Sequence, residues 1–140
     1  MGVEPELFSH VLTVVRTAAR QLVGADGVTF VLRDGKDCVY VEEDAVGPLW
    51  KGQRFPLTAC VSGWVMTHNE PAVIPDIYTD LRVPHAAYRP TFVRSMAMMP
   101  VGSPPLAAIG AYWAAPHLAT QDQLETLAAI ADSALIQVEQ

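Results

Sequence analysis

The sequence predicts an α+β fold: an antiparallel sheet of about five or six strands with the N- and C-terminal helices packed on one face. Three observations lead there. Two strand-like runs, 27–33 and 37–43, flank Asp34-Gly35, a strong hairpin signal. Two more, 95–101 and 107–115, are joined by a Pro-rich turn. Helical apolar spacing closes both ends, at 5–23 and 121–139.

Each element has a local reason. Pro5 suits a first helical position, Glu4 and Glu6 complement the positive end of the dipole, and Gly24 can stop the helix. Leu7, Val11, Val14, Ala18 and Leu22 form one stripe, and Phe8, Leu12, Val15 and Ala19 an adjacent one, wider than a single sheet contact requires. Gly47-Pro48 and Lys51-Gly52 mark an irregular connection. Residues 60–68 read as a short helix carrying Val61, Trp64, Val65 and His68. Residues 71–77 read as a strand that Pro71 and Pro75 push to a sheet edge. The 78–94 stretch is irregular, because Pro84 and Pro90 bar a long helix. The last helix begins with Thr120 and Gln123 at capping-box spacing; its stripe is Leu124, Leu127, Ala128, Ala131, Leu135 and Val138, with Ile130 and Ile136 off it.

Composition narrows the function. The 140 residues suit a single domain spanning 1–140. Hydrophobic residues make up 51% and charged residues 17%, which excludes a disordered chain and leaves apolar surface for a partner. A net charge of −6 lacks the basic footprint of a nucleic-acid binder. No apolar run reaches the roughly 18 residues of a membrane span, and the acidic start does not read as a secretory signal. Cys38 and Cys60 are too few for a disulfide scaffold or a structural zinc site, and suit a reducing compartment. A cytoplasmic location is expected, with no membrane insertion.

The element order, and above all residues 55–101, carry a family likeness. The succession Ser62-Gly63-Trp64, Pro71-Ala72-Val73-Ile74, Asp76-Ile77-Tyr78 and Tyr88-Arg89-Pro90, closing on Met99-Pro100-Val101, resembles GAF domains, particularly sensor GAF domains of bacterial histidine kinases. The resemblance implies a pocket on the sheet face away from the terminal helices, roofed by 78–94. It names no ligand, because GAF domains bind different molecules or none, and the cofactor stays unknown. Bilin-binding members attach the chromophore through a Cys-His pair; the corresponding stretch is Pro84-His85-Ala86, so covalent bilin attachment is not expected. Members that reduce free methionine sulfoxide need thiols in two loops. Here Ser62 sits nearer the first position than Cys60, and Tyr88 holds the second, so a redox cycle of that type cannot close. The spaced signature of cyclic-nucleotide GAF domains is absent after Asn69-Glu70.

The candidate ligand-binding residues are Trp64, Tyr78, Arg82, His85, Tyr88, Arg89, Phe92, Met96 and Met98. Bland readings stand beside them. Arg82, Arg89 and Arg94 can pair with Asp76 and Asp80 to fix the loop, His85 can be a hydrogen-bonding loop residue, and the methionines can fill an ordinary core. Cys60, at a helix start, is read first as a small structural residue, with redox sensing left open. No catalytic set and no metal-ligand set stands out. Phe8, Leu12, Val15, Ala19, Ile130 and Ile136 are the candidate dimer interface, through which the terminal helices would pair across a two-fold axis. The expected function is a noncatalytic sensory or regulatory module, a homodimer that answers a small molecule and acts on an output domain or kinase partner. A structural dimerisation module and a sulfoxide-reducing enzyme are the other readings.

Overall fold

The computed structural model describes residues 8–139, with side chains described from 8 to 134. The elements run α1 (Ser9–Thr17), α2 (Ala19–Val23), β1 (Gly27–Asp34), β2 (Asp37–Ala45), β3 (Arg54–Pro56), α3 (Val61–His68), β4 (Ala72–Ile74), α4 (His85–Tyr88), β5 (Ser95–Gly102), β6 (Pro105–Trp113) and α5 (Gln121–Glu139). The strands form one antiparallel sheet in the order β3-β2-β1-β6-β5-β4. The α+β expectation holds, at six strands.

The β1–β2 hairpin turns at Gly35 and Lys36, one residue beyond the predicted pair. Gly35 takes φ 61° at the first central position, as a type II′ turn requires. A bulge opposite Phe30 and Val31 makes Val41 the extra residue of β2. Beyond it the register is regular, and strand alternation divides two neighbouring carboxylates between different tasks. Glu42 ion-pairs with Arg16 of α1 at 2.9 Å and with Lys51 at 2.8 Å. Glu43 accepts the backbone N–H groups of Leu49, Trp50 and Lys51, each at 2.9 Å, and so folds the 46–53 connection. β4 is the edge strand foreseen, but spans only Ala72–Ile74, because Pro71 and Pro75 stop the ladder on either side.

The predicted helix at 5–23 is two helices, and its predicted start lies outside the described residues. Ala18 breaks it at φ −142°. Phe8, Val11, Val15, Ala19 and Val23 are all at most 3% exposed. At 3.6 residues per turn the five share an arc of about 120°, and they stay on one buried face across the break.

This corrects the expected interface. Phe8, Val15, Ala19 and Ile130 belong to the core under the helices, with Val28, Phe30, Ile109 and Leu127. Leu12 is half-buried against that core, and Ile136 lies outside the described side chains. The doubled stripe exists because the α1–α2 pair packs on β1 and β2 with one side and against α5 with another, α5 itself lying on β5 and β6, so two of its sides need apolar cover. At the start of α5 the capping box forms as read: Gln123 N–H donates to Thr120 Oγ1 at 3.1 Å, and Thr120 N–H to Gln123 Oε1 at 2.9 Å.

Candidate functional site

The opposite sheet face is built from alternate strand residues: Cys38 and Tyr40 of β2, Val31 of β1, Ala108 and Tyr112 of β6, Met96 and Met98 of β5. α3, α4 and the loops cover it. Trp50 inserts from the 46–53 connection among Tyr88, Tyr40 and Tyr112, at ring separations of 4.6, 5.5 and 5.5 Å, and its indole N–H donates to Ala87 O at 3.1 Å. Gly110 leaves room for the Tyr112 ring tip and the Met98 methyl, each 2.7 Å from where a Cβ would stand. Tyr112 Oη shares a 2.9 Å hydrogen bond with Thr29 Oγ1. Burial raises all three phenols above their ordinary range, so this interior carries neutral hydroxyls.

That packing fills the space beneath 78–94. The remaining void among Tyr40, Trp50, Phe55, Cys60, Pro84, Ala87 and Tyr88 is about 10 Å³, room for about one water. Tyr88, Met96 and Met98, expected to line a pocket, are therefore core residues; Tyr88 Oη meets Met96 Sδ at 3.6 Å. Phe92 packs over Gly27 and Gly47 and does not line the cleft described next. Arg89 is exposed. Tyr78 and His85 meet each other at 5.5 Å on the outer side of the loop, with His85 Nε2 against Ile77 O at 3.0 Å.

An open concavity lies beside that plug, between the start of α3 and the 81–84 segment. It holds about 470 Å³. Trp64 and Arg82 are the two predicted residues it brings together: the guanidinium carbon sits 4.4 Å above the indole, and His68 stacks on the indole at 4.5 Å. Arg82 is held by Asp80 in a two-pronged pair, Nε to Oδ1 at 3.0 Å and Nη2 to Oδ2 at 2.7 Å. The same pair holds the Asp80 carboxyl below the usual carboxylate range. Leu81, wholly exposed, stands at the rim. Thr58, Cys60 and Thr67 complete the wall.

Sequence reasoning missed His68, Leu81 and Thr58 as wall residues and Trp50 as the plug. Leu49-Trp50, two large apolar residues within a Gly- and Pro-marked connection, was the available signal for the plug. It also missed that Cys38 and Cys60 meet with their sulfurs 3.3 Å apart. Among the described residues no group of three or more His, Cys, Asp or Glu side chains could hold a metal ion, and no helix is long and apolar enough to cross a membrane.

Solved structures share this architecture. A free methionine-R-sulfoxide reductase from Neisseria meningitidis, in complex with its substrate, is similar at TM-score 0.77 and 18% identity, over 97% of this chain and 80% of that one. The GAF-B domain of DevS from Mycobacterium smegmatis is similar at 0.73 and 18%, over 94% and 92%. The GAF domain of a two-component sensor histidine kinase from Bacillus halodurans is similar at 0.74 and 12%, over 99% and 95%. At these identities the likeness shows the fold alone. A search of curated proteins finds no match. The family profile of the GAF domain, in contrast, matches residues 8–138. With that match over nearly the whole length, and with the six-stranded sheet it entails, the chain belongs to the GAF domain family.

Proposed function

We propose that this chain is a single, noncatalytic sensory and regulatory domain of bacterial signal transduction, working in the cytoplasm, and that it takes a small molecule into the cleft between α3 and residues 81–84. The observation that carries the reading is the cleft itself. Its volume of about 470 Å³ falls within the roughly 300–1,000 Å³ typical of small-molecule sites. Its floor offers the Trp64 indole, and the Arg82 guanidinium lies over it. Because Asp80 neutralises Arg82, the chemistry favours a planar, uncharged or weakly anionic ligand that replaces the guanidinium on the indole.

Two bonded links support a route outward. His117 N–H donates to Pro75 O at 3.1 Å, and His117 Nε2 lies 2.7 Å from Gln123 Oε1, within the α5 cap. Trp113 Nε1–H donates to Gly24 O at 2.9 Å, at the end of α2. A ligand that reorders 75–84 thus acts on residues bonded to the terminal helices, provided it binds the two settings unequally. Exposed Leu22 and the half-buried Leu12, Val14, Leu124 and Ala128 supply the outer apolar surface for a second copy or an output partner. Ser62 and Tyr88, standing where the sulfoxide-reducing members of the family need thiols, favour the noncatalytic reading.

Native mass spectrometry and tryptophan fluorescence test the proposal, using a panel of purines, indoles and flavins. The expected result is a one-to-one adduct with a fluorescence change, both lost in Trp64→Leu. A protein that takes up no member of the panel, or binds equally well without Trp64, would overturn it.

A further inference from the structure

Cys38 sits in the middle of the aromatic sheet face and has no exposure; Cys60 caps the start of α3 and is 6% exposed, in the wall of the cleft. Their sulfurs are 3.3 Å apart, and both are free thiols. A disulfide of about 2.05 Å needs them to close by only about 1.2 Å. The surroundings are those of a reactive thiol. Ser62 Oγ–H donates to Cys60 Sγ at 3.3 Å, and Tyr40 Oη lies 3.1 Å from Ser62 Oγ, so a chain of neutral hydroxyls ends on that sulfur. When protonated, Cys60 donates to Pro56 O at 3.5 Å or to Cys38.

We infer that Cys38 and Cys60 form a peroxide-oxidisable dithiol, with Cys60 as the attacking thiol and Cys38 as its resolving partner. The order follows from access, because Cys60 alone of the two meets the cleft. The Cys60 thiolate attacks one oxygen of a hydroperoxide; the O–O bond breaks and the other oxygen leaves as an alcohol, or as water from hydrogen peroxide, taking up the thiol proton. Cys60 is then a sulfenic acid. The Cys38 sulfur attacks it, the S–S bond forms, the S–O bond breaks, and hydroxide leaves with the Cys38 proton as water. Two thiols have lost two electrons and two protons, and the peroxide has been reduced by two electrons. The neighbouring polar groups favour the starting thiolate: the Cys38 S–H, the Ser62 hydroxyl and the Gly63 backbone N–H outweigh burial and bring Cys60 down to about 6, while Cys38 is pushed up. The bond would tie β2 to the start of α3 and draw Cys60 out of the cleft wall. This inference does not depend on the cleft's ligand.

The test treats the folded protein with hydrogen peroxide, blocks remaining thiols with N-ethylmaleimide in denaturant, and measures intact mass. The expected product is a monomer lighter by two hydrogens that takes no label and recovers both labels after reduction. In Cys38→Ser, dimedone should trap a sulfenic acid on Cys60; in Cys60→Ser, Cys38 should stay labelled. Wild-type protein that keeps both labels under peroxide, or links only between chains, would overturn the inference without reference to any variant. So would equal rates of thiol loss in the two serine variants, each first shown folded by circular dichroism.

Discussion

Gly63 stands inside α3, where glycine costs about 1 kcal/mol relative to alanine, so Gly63→Ala would stabilise an unencumbered helix by about that amount. The packing predicts the reverse. A Cβ on Gly63 would lie 1.8 Å from Leu57 O, 2.5 Å from its carbonyl carbon and 2.6 Å from its Cα. These are backbone atoms of the 3-10 turn Leu57–Ala59, which no rotamer change can move. To restore even a 3.0 Å contact, the turn must retreat by about 1.2 Å. Overpacking of this kind costs about 1–3 kcal/mol, and a backbone obstacle belongs at the upper end. After the helix-propensity gain, a net loss of about 2 kcal/mol remains, or roughly 6 °C in Tm for a domain of this size. Urea unfolding should show a lower midpoint with an unchanged slope. Thr67→Ala, an exposed position on the same helix, is the control and should gain a few tenths of a kcal/mol. Because the turn carries Leu57, Thr58 and Cys60 into the cleft wall, Gly63→Ala should also change the rate at which Cys60 reacts with a thiol reagent. A Gly63→Ala protein as stable as wild type would refute the close approach of α3 and the turn, and with it the cleft wall built on them.

Glu42→Gln should lose about 1–2 kcal/mol, discounted because Arg16 and Lys51 are about half exposed. Burial raises the Glu42 carboxyl, but hydrogen bonds from Lys51, Arg16 and the Glu43 N–H outweigh it, and the folded value lies below 4.5. The ion-pair contribution is therefore present above the unfolded value and lost as pH falls through the folded one; the gap in urea midpoint between wild type and Glu42→Gln should narrow as pH falls below 4.5, and a gap that stays as wide in acid as at pH 7 would sink the assignment. The rate of Cys60 alkylation by iodoacetamide should rise with pH and inflect near about 6. The groups around Cys60 are Cys38 and Tyr40 of β2, Tyr88 of α4 and Tyr112 of β6, all pushed up, with Arg82 and His68 across the cleft; Cys38→Ala should move the inflection toward the ordinary thiol value of roughly 8.5. Gln123→Ala removes the acceptor of Thr120 N–H and the partner of His117, and should cost about 1–2 kcal/mol in thermal unfolding, whereas no change would mean the α5 cap bears no load.

The parts of the fold that were legible are those whose signals are local. Asp34-Gly35 located the hairpin to within a residue, Thr120 and Gln123 located the start of α5, and Pro71 and Pro75 identified the edge strand. What stayed hidden depends on partners distant in the chain. β3 is three residues, Arg54-Phe55-Pro56, with too little alternation to read alone; it exists because β2 offers an edge and Asp34 and Asp37 hold Arg54 at 2.9 and 3.1 Å. The break at Ala18 has no breaker to announce it, since neither glycine nor proline stands in residues 9–23. The candidate site divided on the same line. Trp64 and Arg82 are adjacent because Asp80 aims the guanidinium at α3, whereas Tyr88, Met96 and Met98 point inward because β5 and α4 close on Trp50, and nothing within 78–94 reveals that residue.

The two sheet faces are chemically different, and alternation alone separates them. β1 sends Val28, Phe30 and Leu32 to the helices; β5 sends Ala97, Met99 and Val101; β6 sends Ala107, Ile109 and Ala111. These side chains carry almost no polar group, as a face that only has to hold helices should. The residues between them send thiol, thioether and phenol to the other face: Cys38, Tyr40, Met96, Met98 and Tyr112. Each polar atom there needs a partner in a dry interior, and the pairs Thr29–Tyr112, Tyr40–Ser62 and Cys38–Cys60 supply them. A purely structural face would gain stability from aliphatic replacements at these positions, since burying matched polar pairs rarely outperforms apolar packing. Two of the three pairs, Tyr40–Ser62 and Cys38–Cys60, instead stand together at the start of α3, where Cys60 meets the cleft. A stabilising replacement of Tyr40 and Ser62 together by Phe and Ala, accompanied by slower oxidation of Cys60, would show that this face gives up stability for reactivity; equal oxidation rates would show that the hydroxyl chain serves packing alone.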